Sequence, residues 1–101
     1  MPQVADRAAV NVVLAAPDYP ARSDYRGALI EGVEDAEATG ALVFHAGTAL
    51  QDGRLVTNGG RILNVVGLGD TVPAARTAAY DAVSRIHFAG MQFRRDIAAD
   101  A

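Results

Sequence analysis

The run Gly67-Leu68-Gly69-Asp70-Thr71-Val72-Pro73-Ala74-Ala75-Arg76-Thr77-Ala78-Ala79-Tyr80-Asp81-Ala82-Val83-Ser84-Arg85-Ile86-His87-Phe88-Ala89-Gly90 decides the fold of this chain. Gly69-Asp70 closes an apolar stretch, and Thr71 stands where a hydroxyl can cap the free N–H groups of a starting helix. Pro73 falls in the first turn, where a missing N–H costs nothing. Val72, Ala75, Ala79, Ala82, Val83 and Ile86 recur at helical spacing and make one apolar stripe. His87 is then in the last turn, where a cation favours the helix dipole, and Gly90 is a natural stop. The spacing predicts a helix over 71–88 with one face for a sheet to cover.

Upstream, the strands come in runs. Arg61 to Leu68 reads as a long strand entering that helix. Ala9-Val10-Asn11-Val12-Val13-Leu14-Ala15 is short, β-branched and apolar on both faces, which predicts a central strand. Pro17, Asp18 and Pro20 end it, and residues 17–27 read as an ordered loop. Ala28-Leu29-Ile30 and Ala41 to Ala46 are further strands, with at most two helical turns between them from Val33 to Thr39. Thr48 to Leu50 and Arg54 to Thr57 flank Gln51-Asp52-Gly53, where Asp-Gly is a strong hairpin signal. Asn58-Gly59-Gly60 is read as another turn. Strands in runs rather than in alternation with helices give an α+β class: a mainly antiparallel, curled sheet, one long helix packed on one face, and a short helix.

The bulk numbers set limits on function. With 101 residues there is material for one domain, and a chain of this size buries roughly 65% of its unfolded surface. Half of the residues are hydrophobic and 21% are charged, a globular composition. Cysteine is absent, which excludes disulfides and thiolate metal sites. No apolar run approaches the ~20 residues that span a bilayer, and Met1 to Ala8 lacks the apolar core of a signal peptide. A cytoplasmic protein is expected, with no membrane partner. Net charge is −3 and the nine basic residues are all arginine. Their densest cluster, Arg94-Arg95, is followed at once by Asp96, so no nucleic-acid stripe is present.

Chemistry is sparse. Asn58-Gly59-Gly60-Arg61 joins two strands and does not match the P-loop, whose lysine this chain lacks. Two glycines let backbone amides approach an anion, and an adjacent arginine offers a planar fork for phosphate. A tight turn beside a surface arginine fits the same residues. His45 reads as a hydrogen-bonded, half-buried strand residue. Two separate histidines make no zinc site. Glu31, Glu34, Asp35 and Glu37 read as a solvated helix face. Arg94-Arg95-Asp96 fits either a local ion pair or an anion or domain contact. No serine or threonine sits in a nucleophile elbow. No catalytic residue and no metal ligand is assigned.

Several stretches in series resemble the C-terminal domain of phosphoribosylamine–glycine ligase. They are Val12-Val13-Leu14-Ala15-Ala16 with Tyr19-Pro20, Val43-Phe44-His45-Ala46-Gly47-Thr48, Val56-Thr57-Asn58-Gly59-Gly60-Arg61, Gly67-Leu68-Gly69-Asp70-Thr71, and Ile86-His87-Phe88-Ala89-Gly90-Met91-Gln92-Phe93-Arg94-Arg95-Asp96-Ile97. The departures are small: Asp18 precedes Tyr19 where the family has glycine, and Arg26-Gly27 stands for a lysine-glycine step. The resemblance covers about residues 9–98, with 1–8 as a lead-in and 99–101 as a frayed tail. It implies a domain of an ATP-grasp ligase of purine biosynthesis. The intact enzyme activates glycine with ATP and Mg or Mn, and joins it to 5-phosphoribosylamine to give glycinamide ribonucleotide, ADP and phosphate. ATP and metal would be held by central domains absent here, so no cofactor and no catalysis are expected of this chain alone. Its expected partners are the N-terminal and ATP-grasp domains of the same ligase and 5-phosphoribosylamine or glycinamide ribonucleotide. By position, Arg61 would hold the ribose 5-phosphate, with Asn58, Gly59 and Gly60 shaping the turn, and the domain would help close the active site. The alternative is a freestanding module that binds a phosphorylated ligand or docks a protein; the short lead-in fits a domain cut from a larger enzyme better. A domain without its neighbours should expose apolar surface, with Tyr19, Tyr25, Met91 and Phe93 as the expected places.

Overall fold

The computed structural model describes residues 8–17 and 25–94. Residues 1–7 of the expected lead-in, the tail, Asp18, Tyr19, Pro20, Arg95, Asp96 and Ile97 lie outside them, while Ala8, expected in the lead-in, opens the first strand. The element order is β1 (Ala8–Ala15), β2 (Tyr25–Leu29), α1 (Val33–Ala38), β3 (Leu42–His45), β4 (Thr48–Gln51), β5 (Arg54–Gly59), β6 (Arg61–Gly69) and α2 (Val72–Val83). All pairings are antiparallel. The strands form two three-stranded sheets and not one curled sheet: β1-β6-β3 and β2-β5-β4. β5 and β6 are the central strands of the two sheets, and the chain passes from one to the other at Gly60.

The α+β class stands, but three details depart from the sequence reading. β1 is an edge strand of its sheet. Val10, Val12 and Leu14 are buried while Ala9 and Asn11 are exposed, so only one face meets the core. Its free edge is closed at one point, where Ala15 and Gln92 exchange backbone hydrogen bonds of 2.8 and 3.0 Å. Second, the Asn58-Gly59 step is strand, and only Gly60 lies between β5 and β6. Third, α2 ends at Val83. The Arg85 and Ile86 amides bond back to Ala82 and Val83, which tightens the last turn. The chain then leaves the helix, and His87 forms a two-way backbone bridge with Glu31 at 2.9 Å. His87 is therefore not a helix-terminal cation, and Gly90 is not the helix stop. A Cβ at Gly90 would lie 2.8 Å from Pro17 Cγ. Ile86 and Phe88 stay buried in this extended segment; burial prolongs the apolar pattern past the helix that starts it.

Other signals behave as read. Thr71 is extended, and its Oγ1 accepts the Ala74 N–H at 3.2 Å, with Pro73 in the first turn. Asp52 (φ 55°) and Gly53 (φ 79°) turn the β4–β5 hairpin, the two positive φ angles that a tight hairpin matched to strand twist requires. β2 starts earlier than expected, at Tyr25, and its register with β5 slips between Arg26 and Leu29. The Ala28 N–H near that slip is taken by the Oγ1 of fully buried Thr57 at 3.1 Å.

The core lies between the β1-β6-β3 sheet and the helices. Val10, Val12, Leu14, Leu63, Val65, Ala75, Ala79, Ala82, Val83 and Phe88 are all in it. α2 presses close to β6 because Gly67 has no side chain. A Cβ there would lie 2.2 Å from the Ala79 nitrogen and 2.4 Å from the Ala75 oxygen. The small residues of the helix stripe and the glycine of the strand thus fit as one contact.

Candidate functional site

The start of β6 forms one wall of an open groove of about 370 Å³, lined by Val13, Ala15, Arg61, Gln92, Phe93 and Arg94. Its apolar floor comes from β1 and Phe93; its cationic groups are Arg61 and Arg94. The segment carrying Gln92, Phe93 and Arg94 is held on two sides. Gln92 pairs with Ala15, and its Nε2 donates to the Ala16 carbonyl at 2.7 Å. On the other side, Tyr80 of α2 donates its hydroxyl to the Arg94 carbonyl, and its ring meets Phe93 at 6.2 Å between centroids. Arg76 lies 4.9 Å above the same tyrosine ring.

Arg61 is held by its backbone. It opens β6 opposite Ala15, at the point where the β1–β6 register shifts. Gly47 packs directly beneath it. The amides of Ala46 and Gly47 both donate to the Ile62 carbonyl at 3.0 Å, and the Gly47 carbonyl accepts the Asn58 N–H at 2.8 Å. A Cβ at Gly47 would fall 2.4 Å from the Arg61 carbonyl oxygen, so only glycine permits this approach. No carboxylate among the described residues pairs with Arg61; the Arg85–Asp81 ion pair, at 3.6 Å, lies elsewhere, on the last turn of α2 and its exit.

The four residues singled out in sequence thus separate. Arg61 lines the groove. Asn58, Gly59 and Gly60 do not: the Asn58 amide is engaged by Gly47, Gly59 pairs with Tyr25, and the buried Gly60 gives its carbonyl to the Ala16 N–H at 2.8 Å. Arg94, which the sequence left between an ion pair and an anion contact, joins Arg61 in the groove. Gln92 and Phe93 were not foreseen as groove walls, because the pairing of Gln92 with Ala15 crosses nearly the whole chain. His45 is exposed rather than half-buried, and its Nδ1 lies 3.0 Å from Thr48 Oγ1. Glu31, Glu34, Asp35 and Glu37 are exposed, with Ala36 as the buried side of α1. Among the described residues no group of histidine and carboxylate side chains could hold a metal ion, and no helix is long and apolar enough to cross a membrane.

A two-arginine groove on an apolar floor suits a phosphorylated organic ligand. Comparison with known proteins gives the setting. The sequence model of the family described as "Phosphoribosylglycinamide synthetase, C domain" matches residues 9–100. The chain belongs to this family. It is 52% identical over 91 residues to a phosphoribosylamine–glycine ligase of Ralstonia nicotianae, covering 90% of this chain and 21% of the relative. It is 53% identical over 91 residues to the enzyme of that name from Neisseria meningitidis serogroup A, covering 89% and 21%. The crystal structure of phosphoribosylamine–glycine ligase from Thermotoga maritima superposes with a TM-score of 0.76 at 46% identity, over 88% of this chain and 21% of that one. The chain therefore spans about a fifth of the length of the relatives it matches.

Proposed function

We propose that this chain serves as the C-terminal domain of a cytoplasmic phosphoribosylamine–glycine ligase in purine biosynthesis, and that its groove receives the ribose 5-phosphate end of 5-phosphoribosylamine or glycinamide ribonucleotide. The family match over residues 9–100 carries the reading. The placement of Arg61 and Arg94 on one groove supports the substrate end. In this reading the ATP-grasp domains bind ATP with Mg or Mn and form the acyl phosphate of glycine. The amine of phosphoribosylamine then attacks its acyl carbon, the bond to the phosphate oxygen breaks, and phosphate leaves. The C domain contributes no reacting group. It orients the substrate by its dianionic phosphate and closes one side of the site. An arginine fork gives two directed, charge-assisted hydrogen bonds to such a group, and the apolar floor of Val13, Ala15 and Phe93 lowers the competition from water. Asn58, Gly59 and Gly60 act in this scheme by fixing the strand that carries Arg61.

In the full-length ligase, Arg61→Ala is expected to lower kcat/KM for phosphoribosylamine more than tenfold, about 1.4 kcal/mol of lost transition-state stabilisation. Unchanged kcat and KM would remove Arg61 from the site. An amide chemical-shift titration of this chain with glycinamide ribonucleotide at low salt separates the remaining cases. Saturable shifts at Arg61, Gln92 and Arg94 mean a preformed phosphate subsite. No shifts at millimolar ligand mean that the subsite forms only with the other domains in place.

A further inference from the structure

The β1-β6-β3 sheet has two faces, and among the described residues only one is fully covered. α2 lies on the face carrying Val65 and Gly67. On the other, the register places Asn11, Val66 and Leu42 in one row and Val13, Asn64 and Phe44 in the next. Leu42 is 45% exposed and Phe44 53% exposed. Val13, Val66 and Leu68 are only half-covered. Two of the four exposed large apolar side chains among the described residues thus share this face, and Leu29, 40% exposed, is on the other sheet. The expected positions behave differently: Tyr25, Met91 and Phe93 pack against the core, and Tyr25 donates its hydroxyl to the Ala89 carbonyl at 2.7 Å. Leu50, 75% exposed at the β4 edge of the other sheet, stands outside these rows.

We propose that this bare sheet face is the docking surface for a preceding domain of the same polypeptide. The inference rests on the ligase reading above and names the face through which that ligase is assembled. Three observations select the occupant. The relatives are about five times as long as this chain, which covers 21% of them, so such a ligase holds further domains for this one to meet. The face is mixed, with Asn11 and Asn64 set among Val13, Val66, Leu42 and Phe44, as interfaces between domains of one chain are, and less apolar than an obligate dimer contact. The side chains of Asn11 and Asn64 make no hydrogen bond among the described residues, which leaves their amides for a partner's backbone. Finally, Val13 belongs both to this face and to the Arg61 groove. A domain seated on the face therefore continues into the groove and supplies its missing side. Docking and substrate enclosure become one event.

The test is thiol labelling of the full-length ligase, with the reagent's site read by mass spectrometry. The domain has no cysteine of its own, so Phe44→Cys, Leu42→Cys and Leu50→Cys can each be followed within it. Labelling at Phe44→Cys and Leu42→Cys should be at least tenfold slower than at Leu50→Cys, at a rate independent of protein concentration. Equal rates at all three would overturn the proposal. Protection that fades on dilution would overturn it too, in favour of a second copy of the chain. Protection only on one of the two β3 cysteines, with the other as fast as Leu50→Cys, would also overturn it, since the face would not be covered as a unit. The readout needs no catalysis. Failure of the ligase reading would show instead as absent glycinamide ribonucleotide formation by the unmodified enzyme, with labelling unaffected.

Discussion

Val65 and Val66 are neighbours on β6, identical in chemistry and opposite in circumstance. Val65 faces α2 and is fully buried; Val66 faces away, half-covered, in the row with Asn11 and Leu42. The face toward α2 is built of close fits: Gly67 against the helix backbone and Ala75 and Ala79 with no exposed surface. The opposite face is built of side chains that the described residues cover only in part. Close packing on one side and open apolar surface on the other divide the work of the sheet. One face makes the domain fold. The other is the face proposed to meet the rest of a ligase.

The largest effect that would test this contrast is at Gly67. Gly67→Ala should destabilise the chain by about 3 kcal/mol, because the added Cβ meets helix backbone that cannot turn aside. Urea denaturation followed by circular dichroism measures it, and an unchanged midpoint would mean that α2 does not sit where the contact places it. Next in size is Val65→Ala. Removing two carbons from a site with 0% exposure should cost about 2 kcal/mol in the same assay. Val66→Ala and Phe44→Ala complete the comparison. In this chain alone each should cost less than about 1 kcal/mol. In the full-length ligase, Phe44→Ala should cost more than it does here. Equal costs for Val65→Ala and Val66→Ala in the isolated chain would erase the distinction between the faces. Equal costs for Phe44→Ala in the two settings would say that the open face stays open.

Local rules made part of this legible in the sequence. The Thr71 cap, the Pro73 first turn and the Asp52-Gly53 hairpin depend on residues within four positions of one another, and each forms as read. The end of α2 was not legible. Ile86 keeps the helical apolar spacing, yet the chain is drawn into a bridge with Glu31, a partner distant in sequence. The edge position of β1 was missed for a related reason. Apolar residues on both faces signal burial on both, but Val13 is apolar on a face that the described residues cover only in part. Of the candidate site, Arg61 was legible because a charged fork beside two glycines is a local pattern. Its pairing with Arg94 was not, because the Ala15–Gln92 bridge that assembles the groove is a tertiary fact.

By itself, then, the sequence determined the kind of domain: its α+β class, its antiparallel strands, the start of its principal helix, and a family resemblance that the comparisons place over residues 9–100. These follow from short-range periodicity, capping and turn chemistry, and from motifs in fixed order. Only the tertiary structure decided that the strands split into two sheets at Gly60, that Asn58 and Gly47 serve the backbone while Arg61 serves the groove, and that one face of the β1-β6-β3 sheet is bare. Those outcomes turn on which distant groups satisfy one another's hydrogen bonds and on how closely two backbones can approach when one of them carries no side chain, and no local pattern encodes either.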